Sequence, residues 1–304
     1  MNAVPRAALD PLSPVTDRHY QDELVEVLKL GRGQRPQGPG ETIATTAHFQ
    51  LRKRGRRLEV SHWLRPDQLD NDLVGLLHAE LFSPGWLSGN DVFEHVVTGI
   101  VRSTVSDPLL AWHTFYANTL AKIRRTTVDD GEPSSVIAGM VPVYERALEI
   151  VPPGSVLDLG SCFGFFPLLL AERGDTSVIA SDLVPASMRL LATIARARHV
   201  PLATLACDAA SVPLPNRAVD TVTLLHLLEH LEPADGDRVV AEAVRLASIR
   251  VVVAVPFEEE PAPIYGHVRT FDRSILADIG IATGLPFTVT EHHGGWLVIE
   301  TGRG

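Results

Sequence analysis

Residues 154–170 constrain the fold most strongly, because they combine a buried strand, a glycine turn and the start of a helix. Residues 156–159 form a short apolar run that contains one acid, Asp158, and such a run is typical of a buried strand. Gly160 and Gly164 then flank a tight turn, where the missing Cβ atoms let the backbone approach a ligand closely. This stretch therefore predicts a strand, a turn and a helix, with a ligand at the turn.

The order of residues in this turn is Asp158-x-Gly160-x-Cys162-x-Gly164. A dinucleotide fingerprint needs a glycine where Cys162 stands, which disfavours a nicotinamide-dependent oxidoreductase. A carboxylate before the first glycine repels a pyrophosphate but attracts an ammonium group. The pattern resembles motif I of the class I S-adenosylmethionine-dependent methyltransferases, Asp-x-Gly-x-Gly-x-Gly. The alternative is an ordinary buried strand-to-helix turn.

Strands and helices alternate regularly after the turn. The predicted strands are 177–181, 202–206, 219–225 and 250–255, the predicted helices are 186–197 and 233–247, and 287–291 pairs with 296–300 as a final antiparallel hairpin. Such alternation indicates an α/β fold with a parallel sheet, whose ligands lie outside the carboxyl ends of the strands. The resemblance implies a doubly wound, mostly parallel seven-stranded sheet, a Rossmann-like methyltransferase domain over residues 150–304.

Three acids stand at or near the ends of the first three of these strands: Asp158, Asp182 and Asp208. A single acid at such a position can equally be a helix cap or a turn residue, but three in register favour a binding site. The resemblance implies that Asp158 holds the amino-acid end of S-adenosylmethionine, that Asp182 binds the ribose hydroxyls and that Asp208 takes the adenine amino group. The implied cofactor-binding set is Asp158, Gly160, Cys162, Gly164, Asp182, Asp208 and Ala209.

The sequence His226-Leu-Leu-Glu229-His230 matches an H-x-x-E-H zinc-peptidase pattern. That chemistry needs both histidines on one helix face and a third ligand. Here the pattern directly follows a predicted strand, so no metal site is assigned. The resemblance places this strand end beside the transferred methyl group. His226 and His230 are thus candidates for a general base or for positioning the acceptor, Glu229 can orient one of them, and a structural role for any of them stays open.

The segment 256–272 is predicted to be a loop at the carboxyl end of the fifth strand, and it carries Tyr265, His267 and Arg269. It resembles a Gly-His-x-Arg-x-Phe segment of related methyltransferases, in which the histidine faces the acceptor. His267 is therefore the leading candidate for the general base. The acids at 258–260 could bind a divalent cation, but a solvated run of charge is the favoured interpretation.

The N-terminal half divides into a flexible segment, 1–40, with a short helix possible at 22–29, and a hairpin with a helical cap, 41–149. The hairpin strands are predicted at 45–51 and 57–63, and the basic residues at their turn are interpreted as a solvated tip rather than a phosphate site. Helices follow from Pro66, with a cap at Asn90 or Asp91 for the second and Asp107 before the third. Trp86, Trp112, His113 and Tyr116 could stack on a carbohydrate, but core packing is favoured.

The composition of the chain limits the binding partners and the cellular setting that are expected for it. The net charge of −10 gives no general reason to expect binding to nucleic acid or to an anionic membrane. The two cysteines are too few for a disulfide framework and indicate a reduced, cytoplasmic setting. No run of about 18 apolar residues predicts a membrane span, and the N-terminus lacks the pattern of a secretory signal. The expected partner is a small-molecule or glycan acceptor, and the oligomeric state stays open.

A second resemblance extends into the N-terminal half. Residues 49–63, 80–89, 112–116 and 292–296 resemble the actinobacterial methyltransferases associated with mycofactocin. This resemblance implies methyl transfer to a glucose hydroxyl of an oligosaccharide, for which removal of the hydroxyl proton by a histidine is suitable chemistry. A methyltransferase for another small acceptor, a nicotinamide-dependent oxidoreductase and a non-catalytic methyltransferase-like partner protein are the alternatives.

Overall fold

The computed structural model describes residues 9–13, 15, 18–31, 34, 36, 40–55, 57–126, 135–262 and 266–302. The chain forms two compact units, Met1–Ala138 and Gly139–Gly304. Within the described residues, no helix is both long enough and apolar enough to cross a membrane.

The first unit contains a five-stranded sheet. Its strands are β1 (His19–Gln21), β2 (Val25–Lys29), β3 (Glu41–Thr45), β4 (Phe49–Arg54) and β5 (Arg57–His62), in the order β1-β2-β5-β4-β3. The antiparallel β4–β5 hairpin confirms the prediction of a hairpin here. Its first strand begins at Phe49 rather than at residue 45, because Thr45 ends β3 and the N–H of Thr46 bonds the carbonyl of Phe49 across a tight turn.

The prediction of a helix at 22–29 is wrong. The Oδ1 atom of Asp22 accepts hydrogen bonds from the N–H groups of Leu24 and Val25, which turns the chain into β2. Val25 and Val27 are then fully buried in β2, which pairs in parallel with β5. The flexible segment predicted for residues 1–40 therefore contains two strands of the sheet.

The basic residues of the hairpin are not all at a solvated tip. Lys53 and Arg54 are exposed, as predicted, whereas Arg56 lies outside the described residues. Arg52 is buried and its guanidinium lies 3.0 Å from Oε1 of Glu59 on the neighbouring strand. The prediction is therefore wrong for Arg52, because its strand position faces the interior and a carboxylate opposite it makes burial of the charge possible.

Helices follow the sheet: α1 (Asp72–Leu77) with a single π turn (His78–Phe82), α2 (Asn90–Thr104) and α3 (Pro108–Ile123) belong to the first unit, and α4 (Val136–Ile150) begins in the first unit and ends in the second. Asp107 caps α3 as predicted, since its Oδ1 accepts the N–H of Leu110 at 2.7 Å. The predicted cap of α2 is wrong: Gly89 precedes the helix, and no side chain caps it. Trp112 and Tyr116 are buried, which confirms core packing for these two rings.

The boundary between the units falls at residues 138 and 139, inside α4, whereas the predicted start of the second domain is residue 150. The reason is packing: Val143 and Ala147 of α4 are buried in the core of the second unit. The covering role predicted for the N-terminal helices stays a prediction.

The second unit contains a seven-stranded sheet with helices between its strands. The strands are β6 (Gly154–Leu159), β7 (Thr176–Asp182), β8 (Leu202–Ala206), β9 (Val219–Leu225), β10 (Ala247–Val255), β11 (Phe287–Glu291) and β12 (Gly295–Glu300). The helices are α5 (Phe165–Ala171), α6 (Pro185–Ala197), α7 (Pro233–Leu246) and α8 (Arg273–Thr283). The strand order is β11-β12-β10-β9-β6-β7-β8; β12 is antiparallel to both of its neighbours, and the other neighbouring pairs are parallel. The predicted doubly wound, mostly parallel sheet is thus confirmed.

This strand order fixes where a ligand can bind. From β6 the chain passes to β7 and β8 on one side, and β9 and β10 then lie on the other side of β6. Apolar side chains from these strands are buried on both faces of the sheet, so neither face offers an open site. The crevice at the carboxyl ends of β6 and β9, where the order reverses, is the expected binding position.

Candidate functional site

The glycine turn between β6 and α5 needs glycine at two positions. Gly160 and Gly164 both have φ of 74°, in the left-handed region. A Cβ atom at Gly160 would lie 2.7 Å from Cδ1 of Leu227, and one at Gly164 would lie 2.3 Å from Cδ2 of Leu191. Cys162 also adopts positive φ, 50°, so this position keeps a glycine-like backbone while carrying an exposed thiol.

Asp182 ties this turn to the neighbouring strands. Its Oδ2 atom accepts the N–H of Cys162 at 2.9 Å, and its Oδ1 atom accepts the N–H of Val184 at 2.9 Å. The carbonyl of Asp182 accepts the N–H of Cys207 at the end of β8. Leu183, the next residue, is 72% exposed. Leu183 is not among the site residues predicted from the sequence, although an apolar residue directly after a strand-end acid is a usable signal.

Asp158 differs from the other two acids, because it lies beneath the turn rather than on the rim. It is 3% exposed, and its carboxylate accepts hydrogen bonds of 2.6 Å from the hydroxyls of Ser161 and Thr223. Burial raises the pKa of Asp158 to about 6, with nearby Asp182 adding to the rise and the two hydroxyls opposing it. Its predicted contact with the cofactor ammonium stays a prediction.

Asp208 lies on the rim after β8 and is exposed. Its Oδ1 atom accepts the N–H of Ala210 at 2.8 Å, which is the turn-forming role that the sequence left open. Ala209 beside it is half-buried. The rim of the sheet thus brings together Asp182, Leu183 and Asp208.

His226 directly follows β9 and has φ of 54°. Its N–H donates to the carbonyl of Ala254 in β10, so the residue is held at the strand end. Only Leu228–His230 is helical here, as a single 3-10 turn, which confirms that the pattern is not on a zinc-peptidase helix. The Nδ1 atom of His226 lies 3.1 Å from Oε1 of Glu229, whose side chain is fully buried.

The loop after β10 brings His267 to the same place. The N–H of Val268 donates to the carbonyl of Glu229, and the His267 and His230 rings lie edge to face with their centroids 5.0 Å apart. The Nδ1 atom of His267 lies 2.7 Å from Oε2 of Glu258. The histidines predicted from two segments, 226–230 and the loop after β10, therefore lie in one cluster around Glu229. We call His226, Glu229, His230, Glu258 and His267 the rim cluster.

The same loop also carries Glu258, Tyr265 and Arg269. Glu258 is paired with His267, so the prediction of a purely solvated run at 258–260 is wrong for this residue. Tyr265 lies outside the described residues. Arg269 donates through Nε to the carbonyl of Leu228 and places its guanidinium over the ring of Phe271. Burial lowers the pKa of Arg269, while the negative charges of Asp237, Glu229 and Glu232 oppose that change.

Comparison with known proteins agrees with this geometry. The family described as methyltransferase domain matches residues 156–248, from β6 into β10. This segment therefore has the sequence of a methyltransferase domain.

Relatives and solved structures resemble the methyltransferase domain over part of the chain. Demethylmenaquinone methyltransferase of Thermus thermophilus is 30% identical over 139 residues, which are 45% of this chain and 62% of that protein. The match thus spans less than two thirds of that relative. A methyltransferase of Aquifex aeolicus has 15% identity and a TM-score of 0.43, over 60% of this chain and 96% of that chain. Magnesium protoporphyrin IX methyltransferase of Synechocystis, solved with bound SAH, has 15% identity and a TM-score of 0.42, over 60% of this chain and 92% of that chain.

The residues on the rim fit S-adenosylmethionine, the cofactor that the resemblance implies, in their chemistry. Asp182 and Asp208 offer carboxylate acceptors for hydroxyl and amino groups, and exposed Leu183 offers an apolar surface for a ring. Because residues 160 and 164 are glycines, the turn between them has no Cβ atom at either end. The ribose needs hydrogen-bond acceptors, the purine needs an apolar surface, and the amino-acid tail needs backbone that is not covered by side chains.

Proposed function

We propose that the chain is an O-methyltransferase, which uses S-adenosylmethionine to methylate an acceptor hydroxyl, most specifically a glucose hydroxyl of the mycofactocin oligosaccharide. The observation that carries this proposal is the position of the rim cluster beside the glycine turn. Leu227, which follows His226, is the residue that a Cβ atom at Gly160 would meet. Proton-accepting side chains thus stand next to the turn that the cofactor requires.

In this proposal, the rim residues hold and orient the cofactor. Asp182 binds the ribose hydroxyls, Asp208 and Ala209 take the adenine, and Leu183 packs against the ring. Gly160, Cys162 and Gly164 hold the amino-acid end, with Asp158 below them supplying negative charge. When bound, S-adenosylmethionine supplies a methyl group that is already activated by its attachment to a sulfonium. The chain mainly has to align this group with the acceptor.

The rim cluster takes the proton of the acceptor. Two of its histidines stand next to a glutamate, His226 next to Glu229 and His267 next to Glu258, and a carboxylate on one ring nitrogen orients the other. As the acceptor oxygen bonds to the methyl carbon, its proton passes to an imidazole nitrogen. General base catalysis of this kind is worth about 10²- to 10⁴-fold in rate.

The glucose acceptor is supported by the resemblance of four segments to the mycofactocin-associated enzymes. One of these segments, 80–89, contains Trp86, which is 46% exposed and offers an indole face to a sugar ring. Trp112 and Tyr116 of another segment are buried and do not offer such a face.

The experiment is an in vitro transfer assay with the full chain, S-adenosylmethionine and a glucose-containing acceptor from cell extract, read by mass spectrometry. We expect an increase of one methyl group, and a fall in rate of at least about tenfold in His226→Ala or His267→Ala. His19→Ala is the control, because His19 also lies beside a glutamate, Glu26, but in the first unit. Absence of any methylated product would contradict the proposal. Methylation only of a compound without glucose would contradict the acceptor.

A further inference from the structure

Three side chains of the rim cluster are close enough to share one ion. One ligand atom from each of Glu229, His230 and His267 lies within 4.8 Å of the other two. The set joins a carboxylate with two imidazoles, a combination that suits zinc and related divalent transition metals. Glu229 and His230 come from the 3-10 turn after β9, and His267 comes from the loop after β10.

Glu229 is the unusual member of this set. It is fully buried, and neither carboxylate oxygen accepts a hydrogen bond from any described residue. His226 Nδ1 lies at ion-pair distance, 3.1 Å, without the alignment of a hydrogen bond. The guanidinium of Arg269 is near enough for its charge to interact with Glu229, but its hydrogen bond goes to the carbonyl of Leu228 and it lies over the ring of Phe271. A buried carboxylate in this state is costly unless a cation compensates its charge.

Both histidines show the arrangement that metal-binding imidazoles require. A metal-bound histidine usually donates its second ring N–H to a carboxylate or a carbonyl. His267 Nδ1 lies 2.7 Å from Oε2 of Glu258, and His230 Nδ1 lies 3.3 Å from the carbonyl of Gly266. With Nδ1 used in this way, the Nε2 atom of each ring carries the lone pair that a metal ion needs.

We propose that Glu229, His230 and His267 bind one divalent transition metal ion of the zinc type, with Glu258 orienting His267 and with a coordination position left open. Three protein ligands and an open position are the arrangement of catalytic zinc sites. The His226-x-x-Glu229-His230 pattern supplies only two of these ligands. The third comes from another segment, which is why the sequence pattern alone does not identify the site.

The consequence for catalysis rests on the proposed function. An acceptor hydroxyl bound at the open position loses its proton more readily, because the ion stabilises the developing negative charge on oxygen. The proton passes to His226, which is outside the ligand set. The C–O bond then forms as the carbon–sulfur bond breaks, and the electron pair of that bond stays on sulfur. His226 is therefore the base and His267 a ligand.

The experiment is metal binding to the full chain, first stripped with a chelator and then titrated with Zn²⁺ or Co²⁺, with bound metal measured by elemental mass spectrometry. We expect one ion for each chain, a Co²⁺ visible spectrum typical of a low-coordinate nitrogen and oxygen site, and loss of at least about 100-fold in affinity in Glu229→Gln or His267→Gln. In Glu258→Gln we expect about 10- to 100-fold weaker binding. His19→Gln and Glu26→Gln are the matched controls, because they alter a similar His–Glu contact elsewhere and should bind metal normally.

Neither the donor nor the acceptor is present in this titration, so its outcome is separate from that of the transfer assay. Absence of stoichiometric metal would overturn the inference, and so would undiminished binding in His267→Gln. The two ligand variants keep the inference falsifiable if one of them fails to fold. Metal binding without methyl transfer would support the site and contradict the proposed function.

Discussion

The backbone N–H of Cys162 donates a 2.9 Å hydrogen bond to Oδ2 of Asp182, and this bond joins the glycine turn to the acid at the end of β7. The bond uses only the backbone of residue 162. Its geometry depends on the left-handed conformation of that residue, φ of 50°, and not on the thiol. A residue other than glycine can therefore stand here, but it carries a conformational cost of about 1 kcal/mol.

Replacing Cys162 with glycine should leave the free energy of unfolding unchanged or raise it by up to about 1 kcal/mol. Relief of the left-handed backbone is offset in part by the greater entropy of glycine in the unfolded chain. Chemical denaturation of the cofactor-free protein measures the change. Cys207→Gly is the comparison, because Cys207 is not at positive φ and packs against the core, and it should be destabilised by about 1 kcal/mol or more. Equal destabilisation of both variants would contradict the account.

Gly164→Ala should be more destabilising than Gly174→Ala. Both glycines have positive φ, 74° and 78°, so alanine meets similar backbone strain at each. At Gly164 the added Cβ would also lie 2.3 Å from Leu191, whereas at Gly174 it would have no neighbour within 4 Å. We expect an additional loss of about 1–3 kcal/mol for Gly164→Ala, measured by denaturant titration. Similar losses at the two sites would show that close packing does not select glycine in the turn.

The stability of Asp158→Asn relative to wild type should increase with pH. Burial raises the pKa of Asp158 to about 6 from its ordinary value of 3.8, so between these values the folded chain holds this proton more tightly than the unfolded chain does. The contribution of Asp158 to stability is therefore fully present below about pH 4 and is lost as pH rises through about 6. Asparagine stays neutral, so the variant should gain up to about 3 kcal/mol on wild type between pH 4 and pH 7.

Asp220→Asn provides the opposite case. Hydrogen bonds from the N–H and the hydroxyl of Ser155 lower the pKa of Asp220, so its contribution to stability is lost as pH falls. The stability of Asp220→Asn relative to wild type should therefore fall, not rise, as pH increases through the acid range. Urea titrations of both variants across this range measure the two slopes. If the relative stabilities of the two variants changed in the same direction with pH, Asp158 and Asp220 would not be in the different environments described here.

Much of the second unit follows from its sequence, because apolar residues are frequent in its strands and helical segments separate the strands. The sequence of β9, 219–225, is apolar at most positions, and it pairs on both sides within the sheet. Gly160 and Gly164 likewise marked the tight turn between β6 and α5. The burial of Asp158 could not be read in this way, because it depends on Thr223, which is brought opposite by pairing of β6 with β9.

The rim cluster was predicted as separate candidates rather than as one arrangement. His226 and His230 are close in sequence, but contact of His230 with His267 depends on how the loop after β10 folds back. The structure of the first unit was harder to predict from its sequence. β2 pairs with β5, which is distant in the sequence, and this non-local pairing determines the structure of 25–29 rather than any local helical tendency.

Calorimetric titration of S-adenosylmethionine into wild type and Asp182→Asn, with NAD titrated separately, tests the central claim most directly. We expect wild type to bind S-adenosylmethionine and not NAD, and Asp182→Asn to bind it about 10- to 100-fold more weakly, because a charged acceptor of hydrogen bonds is lost. Asp235→Asn, on α7 and paired with Arg238, should bind as wild type does. Tight NAD binding, or unchanged affinity for S-adenosylmethionine in Asp182→Asn, would contradict the account.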